Sequence, residues 1–135
     1  MVSDYYSPQV IDHFNNPRNA GAMDDADTEA YVTNPVCGDS LRLFLRIEDD
    51  HIAKASFLSS GCPASIATSS AATELVEGLP LDEAVALTRE AYAEAVGGLP
   101  KSKIHCSVLA ASAVRQAVEH WREEHAGKTQ KEASA

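Results

Sequence analysis

The run Leu41-Arg42-Leu43-Phe44-Leu45-Arg46-Ile47 alternates with period two, placing Leu41, Leu43, Leu45 and Ile47 on one face and both arginines on the other. That pattern commits the middle of the chain to a half-buried strand. Glu48-Asp49-Asp50-His51 is a polar turn and Ile52 to Ser59 a return strand, so the two form an antiparallel hairpin. A weaker candidate, Glu29 to Thr33, precedes them. Cys37 falls just before the first hairpin strand and Cys62 just after the second. In an antiparallel pair those ends are neighbours, so pairing alone is expected to bring two thiols to one edge of the sheet.

Around the hairpin the periodicity is helical. Val10, Ile11 and Phe14 recur at helical spacing between Ser7 and Phe14, and Asn15-Asn16-Pro17-Arg18-Asn19 stops the turn. The segment from Ala20 to Thr28, with Asp24-Asp25-Ala26-Asp27, has no period and reads as a solvated loop. Beyond Gly61, Cys62 takes a capping position and Pro63 the first helical one, where a missing N–H costs nothing. The helix from about Ala64 to Glu77 is rich in small residues, Ala67, Ser69, Ser70, Ala71 and Ala72, which let it lie close against a sheet, and Gly78 ends it. Leu81 to Leu87 and Arg89 to Val96 read as two short helices, broken at Gly97-Gly98-Leu99-Pro100. Val114, Ala117, Val118 and Trp121 mark the apolar stripe of a helix from about His105 to Glu124. Residues 1–125 are thus expected to form one domain, and the small polar tail from Ala126 to Ala135 to be disordered.

With 135 residues, 44% of them apolar and 23% charged, the chain can bury a core without disulfide staples. Its 20 acidic against 11 basic residues give a net charge of -9, which repels a phosphate backbone and excludes nucleic acid and anionic membranes as expected partners; a basic protein surface suits it better. Met1 to Tyr6 lacks the basic start and apolar run of a secretory signal, and no stretch reaches the roughly 18 apolar residues of a membrane span, so a cytoplasmic location is expected. Three cysteines cannot all pair, and thiols there stay reduced, so ligand or nucleophile roles outrank disulfides.

Each cysteine stands at the end of an element: Cys37 in Pro35-Val36-Cys37-Gly38-Asp39, Cys62 in Gly61-Cys62-Pro63, and Cys106 in Ile104-His105-Cys106-Ser107. A helix N-terminus favours negative charge, so Cys62 and Cys106 are expected to ionise more readily than an ordinary cysteine. There is no C-x-x-C pair, which excludes zinc-ribbon and thioredoxin-like motifs. A tetrahedral metal, or the exposed irons of a small cluster, needs one ligand beyond three thiolates, and Asp39 and His105 compete for that place. A harder donor among soft ones loosens the hold on an iron-sulfur cluster, which suits a protein that passes its cluster on. Taken singly, these residues have plainer readings: Cys62 as a small buried apolar residue, His105 as a surface residue at a helix start, Asp39 as a turn cap. His13, His51, His120 and His125 have no cysteine beside them and are assigned to surface or core.

Tyr6-Ser7, Val10-Ile11-Asp12-His13-Phe14, Asn16-Pro17-Arg18-Asn19, Cys37-Gly38-Asp39, Gly61-Cys62 with the helix from Ala67 to Glu74, and Lys103-Ile104-His105-Cys106-Ser107 follow one another in an order that is itself diagnostic. From about Tyr6 to Trp121 the chain resembles the iron-sulfur cluster assembly scaffolds typified by bacterial IscU and the N-terminal domain of NifU. The resemblance implies an α+β fold, a small antiparallel sheet of about three strands packed against helices, with the site at one end. It implies that Cys37, Cys62 and Cys106 hold a nascent [2Fe-2S] cluster with Asp39 or His105 completing the set, and that zinc occupies the same ligands in the cluster-free form. It further implies that Cys106 accepts sulfur as a persulfide from a pyridoxal-phosphate cysteine desulfurase, and that Asp39 keeps the cluster labile or assists iron entry. Such a protein is a carrier and not a turnover enzyme; it hands its cluster to apo iron-sulfur proteins such as a ferredoxin, with a homodimer as one cluster-loaded form.

Two departures stand out. Where IscU proteins carry Leu-Pro-Pro-Val-Lys for an Hsp70-type chaperone, this chain has Leu99-Pro100-Lys101-Ser102-Lys103, which puts dedicated chaperone-driven release in doubt. A full NifU continues into further cluster domains, whereas this sequence ends after the scaffold domain, so a separate small carrier is expected. The alternative is a zinc-dependent sulfurtransferase resembling SufU, against which count the presence of His105 and the lack of an insertion before Cys106. A zinc-stabilised interaction domain without transfer chemistry is the third reading.

Overall fold

A computed structural model describes residues 6–35 and 38–134, with side chains as far as residue 125, so Val36 and Cys37 lie outside the described residues. Three strands, β1 (Thr28–Thr33), β2 (Ser40–Glu48) and β3 (His51–Ser60), form an antiparallel sheet in that order. The period-two run sets the register: Leu41 pairs with Val32 and Ser59, Leu43 with Ala30 and Phe57, and Leu45 with Thr28 and Ala55, and all three leucines are buried. The β2–β3 turn is tight because Asp49 and Asp50 both take positive φ, 53° and 60°, the two-residue geometry that matches the twist of the strands and that aspartate tolerates better than most residues. The outward arginines are anchored too: Arg46 pairs with Asp25 at 2.8 Å, and Arg42 lies over the Tyr31 ring.

Helix α1 (Pro8–Asn15) starts where the Ser7 hydroxyl accepts from the Val10 N–H at 3.1 Å, with Pro8 in the first turn. Helix α2 (Pro63–Val76) begins as Pro63 predicts, and Cys62 holds the N-cap position without a side-chain capping bond. Because its residues are small, α2 is buried nearly all round, against β3 on one side and against α1 and the later helices on others. Its buried hydroxyls bond locally: Ser69 donates to the Ser65 carbonyl at 2.8 Å and Thr73 to the Ser70 carbonyl at 2.7 Å. The short helices α3 (Leu81–Ala86) and α4 (Arg89–Ala95) and a 3-10 turn at Lys101–Lys103 lead into α5 (His105–Ser134), which packs across β1 and β2. Helix α5 runs past the expected end near Glu124, to Ser134. The apolar stripe ends at Trp121, yet Ala, Lys, Gln and Glu dominate the residues beyond it and are good helix formers.

Two apolar clusters result. The larger joins the sheet to α2, α3 and α5 through residues such as Leu45, Phe57, Val76, Leu81 and Val114. The smaller, Tyr6, Val10, Ala64, Ala67, Ala71, Val96 and Cys106, holds α1 and α4 to the first turns of α2 and α5 and includes a thiol. No helix among the described residues is long and apolar enough to cross a membrane.

Candidate metal centre

The ends of β1, β2 and β3 and the starts of α2 and α5 meet at one end of the sheet. The Ser40–Ser60 pairing puts Asp39 beside Gly61, and the segment leading to Asp39 is closed by Asn34 N–H to the Asp39 carbonyl, 2.8 Å, and Gly38 N–H to the Asn34 carbonyl, 2.7 Å. Gly38 has φ +78°, a conformation that glycine adopts without penalty. Gly61 serves differently: a Cβ there would lie 2.4 Å from Asp39 Oδ1, so only glycine lets the carboxylate rest against the end of β3. Cys62 follows at once, and Cys106 enters from the first turn of α5.

Asp39, Cys62 and Cys106 therefore converge, one ligand atom of each lying within 4.8 Å of the others. Cys62 Sγ is 3.9 Å from Asp39 Oδ2, Cys106 Sγ is 4.0 Å from it, and the two sulfurs are 4.0 Å apart. A tetrahedral ion with bonds of about 2.3 Å sets its ligands about 3.8 Å apart, so these donors need move only by tenths of an ångström to receive one. His105 Nε2 lies 3.5 Å from Asp39 Oδ2, is itself buried, and makes no hydrogen bond. A buried ring nitrogen that makes no hydrogen bond and faces the Asp39 carboxylate is a further donor at hand for a cation.

Burial is the leading electrostatic influence. It pushes the Cys106 thiol up to about 12; a hydrogen bond with Ser65 pulls the other way, and the nearby Cys62 and Asp39 add to the rise. The expectation that Cys106 ionises readily is corrected: the favourable end of α5 is outweighed by the loss of water and by like-charged neighbours. A cation would reverse that balance, since metal binds the thiolate and releases the proton. Two thiols and a carboxylate sharing a dry space make a poor site for anions and a good one for a soft cation.

Of the five residues singled out in the sequence, four come together, Asp39, Cys62, His105 and Cys106, while Cys37 lies outside the described residues. The remaining histidines are occupied elsewhere: His51 and His120 bond to the carbonyls of Asp49 and Glu29, His125 bonds to that of Trp121, and His13 bonds to Ser70. Sequence reasoning misses Ser65 and the close approach at Gly61. Ser65 is 2% exposed and its hydroxyl bonds to Asp39; the available signal is its place three residues after Cys62, on the same face of α2.

Comparison with known proteins shows what the chain is similar to. The family model described as NifU-like N terminal domain matches residues 5–128. The chain is 52% identical over 113 residues to iron-sulfur cluster assembly scaffold protein IscU 1 of Archaeoglobus fulgidus, covering 84% of this chain and 74% of that protein. It is 41% identical over 127 residues to iron-sulfur cluster assembly scaffold protein IscU of Escherichia coli, covering 91% and 98% respectively. Among solved structures, a NifU-like N-terminal protein from Brucella abortus superposes with a TM-score of 0.72 at 20% identity over 90% of this chain and 97% of that one, a likeness of fold.

Proposed function

This chain belongs to the NifU-like N-terminal domain family, and on that footing we propose that it is a scaffold on which a labile [2Fe-2S] cluster is assembled from iron and desulfurase-derived sulfur and then passed to apo acceptor proteins. The observation that carries this reading is the convergence of Asp39, Cys62 and Cys106 within 4.8 Å, with the unbonded His105 Nε2 beside them. Cys37 completes the thiolate set, and Asp39 and His105 are the two candidates for the remaining place. The mixed donor set serves release: an oxygen or nitrogen ligand exchanges more readily on iron-sulfur centres than a thiolate does. Zinc fits the same donors when no cluster is bound.

Sulfur arrives on a cysteine desulfurase as a persulfide. The Cys106 thiolate attacks its outer sulfur; a new S–S bond forms on Cys106 as the donor's S–S bond breaks, and the donor cysteine leaves as a thiolate. Because Cys106 is 2% exposed, the desulfurase must uncover it on docking. The protein is thus a carrier of the reaction's product and not a turnover catalyst, acting in the cytoplasm where thiols stay reduced. A ferredoxin is the kind of acceptor expected, and no dedicated Hsp70-type step is assigned.

The test is ligand by ligand. After anaerobic loading with iron and a desulfurase, Cys37→Ser, Cys62→Ser and Cys106→Ser should each lose most of the [2Fe-2S] absorption. Full absorption retained in any two of them would overturn the assignment.

A further inference from the structure

Ser65 lies in the first turn of α2, 2% exposed, and stands at the centre of the gathered donors. Its hydroxyl donates to Asp39 Oδ2, sits 3.3 Å from Cys106 Sγ, and is 3.8 Å from Cys62 Sγ. Asp39 Oδ2 is the point on which the others also converge, with Cys62 at 3.9 Å, Cys106 at 4.0 Å and His105 Nε2 at 3.5 Å. Asp39 is 5% exposed, so little water is present to orient its carboxylate in place of a protein donor. Gly61 fixes the other side of that carboxylate, since even a methyl there would collide with Oδ1.

A hydroxyl has one proton to give. While Ser65 gives it to Asp39, the carboxylate is held facing the thiols, with Cys106 Sγ 3.3 Å from the same hydroxyl oxygen. We propose that Ser65 is a positioning residue that acts through Asp39: it aims the carboxylate at the position a cation takes between Cys62 and Cys106, and so sets how tightly this site holds a metal. The inference rests on the metal-site part of the function proposed above and adds a residue to it. Partners of this kind, which hydrogen-bond to a ligand and fix its direction, are typically worth about tenfold or more in metal affinity.

Cobalt(II) is the probe, because its ligand-field and thiolate charge-transfer bands report the donors around it without any cluster being assembled. Wild type, Ser65→Ala, Asp39→Ala and the double variant would be titrated under anaerobic conditions, with circular dichroism to confirm folding. Ser65→Ala should bind cobalt about tenfold or more weakly and shift the ligand-field bands while keeping thiolate charge transfer. In the Asp39→Ala background the same substitution should change affinity by less than about twofold, because the residue acts through Asp39. Wild-type affinity and bands in Ser65→Ala would overturn the proposal, as would an undiminished loss in the Asp39→Ala background. Should Ser65→Ala alone not fold, comparison of Asp39→Ala with the double variant, which removes the buried charge, decides: equal affinities support the proposal and a tenfold gap overturns it. Wild type that shows no thiolate–cobalt bands at all would instead remove the metal-site reading on which the inference stands.

Discussion

At Gly61, backbone and site chemistry meet in one atom's space. A methyl group there would lie 2.4 Å from Asp39 Oδ1, and φ +154° disfavours any side chain, so Gly61→Ala must drive the carboxylate off the thiols. That variant should fold, since the larger core lies elsewhere, but bind zinc about tenfold or more weakly in competition with a chromophoric chelator; unchanged zinc affinity would show that Asp39 has no part in the site. Removing the carboxylate altogether acts on rate: Asp39→Ala takes away a ligand-exchange route and should lengthen the lifetime of the loaded cluster against an apo-ferredoxin, and faster loss than wild type would contradict this. Cys106 gives a dependence on pH. Its thiol is raised from 9.0 to about 12 in the folded, metal-free chain, so it contributes stability that is fully present below about pH 9 and is lost as pH rises toward 12, where only the unfolded chain ionises early. The melting temperature of the metal-free protein should fall through that window, and Cys106→Ser should flatten the fall; an identical slope in the variant would refute the burial argument. Residue identities here were readable from the sequence, but burial was not: a cysteine at a helix start looks ready to ionise until the packing over it is known.

Helix α1 is held at three points. Ser7 donates to the Val96 carbonyl, Val10 is fully buried, and His13 bonds to Ser70 on α2 at 2.8 Å with Glu74 at 3.7 Å from its other nitrogen. The Arg18 N–H also reaches Ser70, and the Asn19 amide donates to Thr73, so the segment Asn16-Pro17-Arg18-Asn19 is fastened to the same helix. Burial lowers the His13 pKa below 6.5, so its neutral form belongs to the fold. Its contribution to stability is present above that value and is lost as pH falls below it, because the unfolded chain then takes up the proton first. The unfolding midpoint should therefore drop between about pH 7.5 and 5.5, and His13→Gln should reduce the drop while costing about 1–3 kcal/mol at neutral pH; an equal drop in the variant would assign the effect to another group. Element starts were legible because their signals are local: Ser7 before Pro8, Cys62 before Pro63, alternation in β2. The end of α5 was not: the apolar period is lost after Trp121 and Gly127 is a usual stop signal, yet the helix runs through both to Ser134, where the other residues are mostly good helix formers.

Across the whole molecule, the division into two clusters predicts how metal matters. The larger core, from Leu45 and Phe57 to Val114, includes none of the gathered ligands, whereas the smaller one includes Cys106 and has Cys62 packed against it. Chelation should therefore leave the β2–β3 amides protected from hydrogen exchange and loosen α1 and the first turn of α2. Cooperative unfolding of the sheet on metal removal would point instead to zinc as a structural element, which can be worth on the order of 10 kcal/mol. The α+β architecture followed from one alternating strand and its flanking helices; antiparallel pairing also sets Cys62, after β3, beside the start of β2 where Asp39 stands, while the expected meeting of Cys62 with Cys37 falls outside the described residues. What the chain order could not reveal was Ser65 among the donors, because its role exists only once α2 is laid beside the start of β2. The most direct test of the central claim is anaerobic reconstitution with iron, cysteine and a cysteine desulfurase, followed by visible and Mössbauer spectra and then mixing with an apo-ferredoxin. A [2Fe-2S] signal that forms on this chain and moves to the ferredoxin is the predicted result; no cluster, with tightly held zinc and faster desulfurase turnover, would contradict it and identify a sulfurtransferase.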